Sequence, residues 1–175
     1  MLKKIVVIGP ESTGKSTICS LLAQHFNCLW CEEFARTYLL ENGTNYTFSD
    51  LATIAKGQLE LEDKYTKVAN TSKHEFLFLD TDMYVMKVWC EFVFNDVHDF
   101  IVSEIQNRKY DLYLLCNTDL PWVKDELREY PDVETRQRLF NIYHSILLSQ
   151  STPFTIINGT YEERLQKAIL AVQNL

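Results

Sequence analysis

No stretch of this sequence approaches the ~18 consecutive apolar residues of a membrane span, although 46% of its 175 residues are apolar. Positive charge is also short: 17 Lys and Arg stand against 24 Asp and Glu, for a net charge of -7. That balance argues against a nucleic-acid binder that works by neutralising phosphates. It still allows a small anionic ligand held by local backbone donors. The first apolar strand begins at about Lys3, leaving no room for a signal peptide, so a cytoplasmic location is expected. The five cysteines, an odd number, are then expected to be reduced. Cys28 and Cys31 form one C-x-x-C, but no second pair or His partner accompanies it, so packing beside a strand is expected rather than zinc binding. Linkers, internal repeats and low-complexity tracts are absent as well. The length suits a single domain, residues 1–175, with a two-sided sheet core.

What the sequence does contain is Gly9-Pro10-Glu11-Ser12-Thr13-Gly14-Lys15-Ser16-Thr17, which fits the phosphate-loop pattern G-x-x-x-x-G-K-[ST]. Its context matches the chemistry. Ile5-Val6-Val7-Ile8 before it reads as a buried strand, and Ile18, Leu21, Leu22 and Phe26 after it follow helical spacing. In that order the loop amides and the helix N-terminus converge on a polyphosphate. Lys15 is expected to reach the β- and γ-phosphates, and the Ser16 hydroxyl to ligate Mg²⁺. The expected ligand is ATP or GTP.

Further apolar runs mark strands at about 27–32, Phe76–Leu79, Tyr110–Cys116 and Phe154–Ile157. Between them lie a helix over Phe34–Leu40 stopped by Asn42-Gly43, and a long helix from about Ser49 to Asn70. Leu51, Ile54, Ala55, Leu59 and Val68 are its expected buried positions. Two helical stretches follow over 82–108, then another marked by Leu139, Ile142, Tyr143, Ile146 and Leu147. A last helix opens on the capping box Thr160-x-x-Glu163 and buries Leu165, Ala168, Ile169 and Val172. Strands alternating with helices predict a three-layer α/β P-loop fold, with a five-stranded parallel sheet covered on both faces.

Other motifs narrow the enzyme class. The third strand ends in Asp80-Thr81-Asp82-Met83 rather than D-x-x-G, and Asn117-Thr118-Asp119 lacks the lysine of N-K-x-D, which disfavours a GTPase. No transporter-type L-S-G-G-Q occurs. A polar segment of about 119–138 carries Arg128, Arg136 and Arg138, suited to a lid that closes over a transferring phosphoryl group. Arg128 and Arg136 are expected to be mobile without ligand and to touch phosphates when closed.

Gly9-x-Glu11-Ser12-x-Gly14-Lys15-Ser16, Glu33-x-x-Arg36-x-Tyr38, Asp80-Thr81-Asp82 and Pro121-Trp122-Val123-x-Asp125-x-Leu127-Arg128, with Arg136 and Phe140, resemble the ribosylnicotinamide kinase domain of the NadR family. The resemblance runs from about Lys4 to Arg164. It implies ATP- and Mg²⁺-dependent phosphorylation of nicotinamide riboside to the mononucleotide, and a substrate site that includes Trp122. Neither a helix-turn-helix nor an H-x-G-H motif accompanies it. The departures fall in the acceptor site. Glu32 stands where the family has a ring-stacking aromatic, no aromatic stands near Gln58–Leu61 on the long helix, and Glu126 replaces a glycine. Another nucleoside, a nucleoside monophosphate, or a regulatory ATP-binding module therefore stay open. Oligomeric state is not legible.

Four carboxylates close the strand ends facing the loop. Asp80 is expected to hold Mg²⁺ with Ser16, and Glu32 to point at the acceptor ring. Glu33 is expected to be the general base, oriented by Arg36 three residues later. Asp82 is the reserve for the ribose or the base.

Overall fold

The computed structural model describes Met1 through Leu175. Strands β1 (Lys3–Ile8), β2 (Leu29–Cys31), β3 (Phe76–Asp80), β4 (Leu112–Cys116) and β5 (Phe154–Ile157) form one parallel sheet in the order β2-β3-β1-β4-β5. The helices are α1 (Lys15–His25), α2 (Phe34–Asn42), α3 (Phe48–Thr71), α4 (Met83–Phe94), α5 (Asp99–Asn107), α6 (Val133–Leu148) and α7 (Tyr161–Gln173). They cover both faces, so the expected three-layer architecture is the one adopted.

β1 is central, paired with β3 from Lys3↔Phe76 to Val7↔Asp80 and with β4 from Ile5↔Leu112 to Ile8↔Leu115. Alternate strand residues point to opposite faces. Ile5 and Val7 accordingly join one core with Ile18 and Leu22 of α1 and Ile169 and Val172 of α7. Val6 and Ile8 join the other, with Val85 and Val88 of α4 and Phe140 and Tyr143 of α6. Burial on both faces is why the strand reads as an unbroken apolar run, each such side chain contributing about 1.5–3 kcal/mol. A third core lies off the sheet, where Leu39 of α2 and Leu51 and Ile54 of α3 meet Met86 of α4 and Ile101 of α5.

Three expectations change. Val68 is 45% exposed, and the buried stripe of α3 instead includes Gln58, Glu62 and Ala69. Polar side chains therefore occupy the inward face. Glu62 is satisfied there by Lys4 Nζ at 2.8 Å and the Tyr110 hydroxyl at 2.9 Å. The expected lid is also shorter. Residues 117–132 carry no helix or strand, whereas 133–138 are the first turns of α6, started by Asp132 accepting from Thr135 N at 2.7 Å. The second strand shrinks to three residues. Cys28 and Cys31 pack apart, Cys28 against the first core and Cys31 within the second.

Candidate active site

The C-terminal ends of β1, β3 and β4 meet beside the loop of residues 9–14. Gly9 has φ +142°, and a Cβ there would lie 2.6 Å from the Cys116 carbonyl oxygen at the end of β4, so the loop leaves the sheet by a path only glycine allows. Thr13 is buried and its hydroxyl donates to the Pro10 carbonyl at 2.7 Å, closing the loop on itself. Gly14, at φ +79°, caps α1 without a side chain, so the first amides of that helix stay available to an anion. Lys15 Nζ lies across the loop, donating to Pro10 O at 3.0 Å.

Asp80 closes β3 beneath this loop. It is buried, its Oδ2 accepts the Ser16 hydroxyl proton, and its Oδ1 has no partner. Burial, then the nearby Glu33 charge, pushes its carboxyl up to about 7 against the pull of Lys15 and Ser16. The next residue, Thr81, sits at φ +86°, costly for a β-branched residue at about 1–3 kcal/mol. That twist sends Asp82 the other way. Asp82 caps α4, accepting from Tyr84 N at 3.0 Å, Val85 N at 3.4 Å and the Tyr113 hydroxyl at 2.7 Å. It is buried and does not line the cavity, so it is not brought to the substrate side as the sequence suggested.

Glu33 occupies the N-cap position of α2 but makes no side-chain cap bond. Gln58 does that work from α3, its Oε1 accepting from Phe34 N at 2.8 Å and its Nε2 donating to Glu32 O at 3.4 Å. The Glu33 side chain lines the same cavity as Asp80, whose carboxyl feels its charge. Arg36 does not orient it. The Arg36 guanidinium reaches Asp125 of the lid instead, at 3.0 Å, because the first turn of α2 points it outward. Glu32 lines the cavity and is exposed.

The lid segment lies over the loop. Arg128 lines the cavity and its Nη1 donates to Val123 O. Arg136 does not match the expectation of a mobile phosphate ligand. It is 2% exposed, behind the loop on α6, with Nη2 near Ser12 O at 3.3 Å and Leu120 O at 3.4 Å. Trp122 also stays outside the cavity, its indole donating to Glu11 Oε1 at 3.3 Å.

One residue that sequence reasoning missed is Arg164. Completely buried on α7, it donates to the carbonyls of Thr13 at 2.9 Å, Gly159 at 3.0 Å and Asn117 at 2.8 Å, and it pairs with Asp119. It ties together the phosphate loop and the chain leaving β4 and β5. The available signal was an arginine next to Leu165 on the helix whose apolar stripe also includes Ala168 and Ile169.

These parts surround one cavity of about 500 Å³. It runs from the phosphate loop past Asp80 and Glu33 to an end lined by Tyr46, Trp89, Phe92 and Tyr130. Trp89 Nε1 lies 2.9 Å from the Tyr46 hydroxyl, which in turn donates to Glu129 of the lid at 2.9 Å. Aromatic walls are thus present, though from positions other than those the resemblance implied.

A family model described as an AAA domain matches residues 4–164. The trifunctional NAD biosynthesis/regulator protein NadR of Escherichia coli (strain K12) is 27% identical over 99% of this chain, which covers 43% of that protein. The chain spans less than half the length of the curated relatives it matches. A crystal structure of NadR protein in complex with NR superposes with a TM-score of 0.82 at 24% identity, covering 98% of this chain and 49% of that one. Thymidylate kinase from Ehrlichia chaffeensis shares the fold, with a TM-score of 0.70 at 14% identity over 99% of this chain and 98% of its own. With the phosphate loop, the parallel sheet around it and a model match over nearly its whole length, this chain belongs to that AAA-domain family of P-loop proteins.

Proposed function

We propose that residues 1–175 form a single kinase domain that transfers the γ-phosphoryl group of ATP to the 5′-hydroxyl of nicotinamide riboside, giving nicotinamide mononucleotide and ADP in NAD salvage. The observation that carries this reading is the continuous cavity. The phosphate loop, the Glu33 carboxylate, the aromatic side chains of Tyr46, Trp89, Phe92 and Tyr130, and Arg128 of the lid all line it. The relatives point the same way. One is named for NAD biosynthesis, and related structures hold NR, or NAD and AMP-PNP.

Each residue has a definable task. The amides of Glu11 to Ser16 and the start of α1 cradle the β-phosphate, and Thr17 continues that turn. Lys15 swings from the Pro10 carbonyl to the β- and γ-oxygens. Asp80 suits a divalent cation: it is a buried carboxylate with one unpartnered oxygen beside the Ser16 hydroxyl. Those two side chains would hold Mg²⁺, which neutralises charge on the β- and γ-phosphates when bound.

Glu33 accepts the proton of the 5′-hydroxyl as the new O–P bond forms and the bond to the ADP oxygen breaks. Arg128 neutralises charge on the phosphoryl group in transit. The acceptor ring lies toward Trp89 and Tyr46, with the Glu32 carboxylate balancing its pyridinium charge; stacking adds about 0.5–1.5 kcal/mol beyond burial.

Turnover on an acceptor panel tests the reading. ADP release should be slow with ATP alone and rise sharply with nicotinamide riboside. Equal release without any acceptor would make this an ATPase module, and a preference for a nucleoside monophosphate would move the acceptor.

A further inference from the structure

Glu11 is out of keeping with its surroundings. It sits in a loop whose amides and helix dipole favour anions, yet it carries an anion of its own. Its carboxylate is turned to the lid. Oε1 accepts from Tyr130 N at 2.6 Å and from the Trp122 indole at 3.3 Å, and Oε2 accepts from Glu129 N at 2.9 Å. The neighbouring Ser12 hydroxyl accepts from Val123 N at 2.9 Å. Two consecutive lid amides gripped by one carboxylate fix the backbone direction at residues 129 and 130. The residue just before them is Arg128, which lines the cavity over the phosphate loop.

We propose that Glu11 is the positioning residue of the lid: it latches the lid backbone to the phosphate loop and so aims Arg128 at the phosphoryl group. Charge-assisted bonds to backbone amides are stronger than neutral ones and directional. The latch is part of the loop that receives the nucleotide, so loop and lid are set relative to each other before substrate arrives. An acidic side chain beside a polyphosphate works against binding. Removing it should therefore not weaken ATP binding; it should cost the chemical step. This separates a latch from a phosphate ligand. The catalytic consequence rests on the kinase reading, whereas the latch itself does not.

The test reads both. In the protein alone, trypsin cleavage after Lys124 and Arg128 in the lid is compared with the global melting temperature for wild type, Glu11→Gln and Glu11→Ala. The latch predicts lid cleavage faster by about tenfold in Glu11→Ala, with Glu11→Gln between, at nearly unchanged melting temperature. In turnover, kcat should fall about tenfold or more while KM for ATP stays level or falls. In an Arg128→Ala background, Glu11→Gln should add little further loss, because the two act as a unit. Lid cleavage equal to wild type in both Glu11 variants overturns the latch whatever the acceptor proves to be. Faster lid cleavage with unchanged kcat, or losses that add fully to those of Arg128→Ala, overturns the positioning role.

Discussion

Arg164 Nη1 donates to the carbonyl of Thr13 at 2.9 Å, so the last helix holds the phosphate loop from 151 residues away. Its other bonds end on Gly159, Asn117 and Asp119. Replacement by Ala strands the buried Thr13 carbonyl, at about 1–3 kcal/mol, and the part-buried carbonyls of Asn117 and Gly159, and it removes the packing of a fully buried side chain. We expect Arg164→Ala to lose about 3 kcal/mol or more of stability in chemical denaturation, and Arg164→Lys to recover only part of it, because a lysine cannot reproduce the fork.

The same pair sets an acid limit. Desolvation works to raise the Asp119 carboxyl, but the Gly159 amide and the Arg164 guanidinium outweigh it and hold the group below its usual range. The folded state therefore takes up this proton at lower pH than the unfolded chain. The contribution is complete above the unfolded value of about 3.9 and is lost as pH falls through the depressed folded value. Melting temperatures between about pH 2 and 5 should show a shallower acid decline in Asp119→Asn than in wild type. Parallel curves would show that the pair is not linked to folding.

Glu33 and Asp82 are separable by different measurements. Glu33→Gln should reduce kcat by ~10²-fold or more, as for loss of a general base, with the melting temperature nearly unchanged. Asp82→Ala removes the cap of α4 and should cost about 1 kcal/mol or more of stability, with a smaller effect on kcat. The reverse pattern would give the base to β3.

Gly57 and Gln58 test how α3 supports that carboxylate. A Cβ on Gly57 would lie 2.2 Å from Cε1 of Phe34, so Gly57→Ala should destabilise the protein despite a helix-propensity gain of about 1 kcal/mol. Gln58→Leu removes the acceptor of the Phe34 amide and should lower kcat more than nucleotide affinity. Wild-type kcat in Gln58→Leu would show that Glu33 needs no such support.

The phosphate loop, the five strands and the Thr160 capping box were readable because each is a local pattern whose geometry follows from neighbours in the chain. Arg36, Arg136, Asp82 and Arg164 were not, since each has a partner 31 to 151 residues away. Arginine-rich sequence near 128–138 could not show that one guanidinium enters the cavity while another is buried behind the loop. The buried Gln58 and Glu62 were not among the expected inward positions of the long helix for the same reason: their partners, Phe34 N and Tyr110, are invisible to a periodicity count. The aromatic end of the cavity was missed because Tyr46 and Trp89 come from separate elements and meet only in the fold.

The most direct test follows the label from γ-³²P-ATP with nicotinamide riboside as acceptor, in wild type and Glu33→Gln. The account predicts label on the 5′-oxygen of nicotinamide mononucleotide, one per ADP formed, with the rate in Glu33→Gln lower by ~10²-fold. Label released as inorganic phosphate at a rate indifferent to nicotinamide riboside would contradict it.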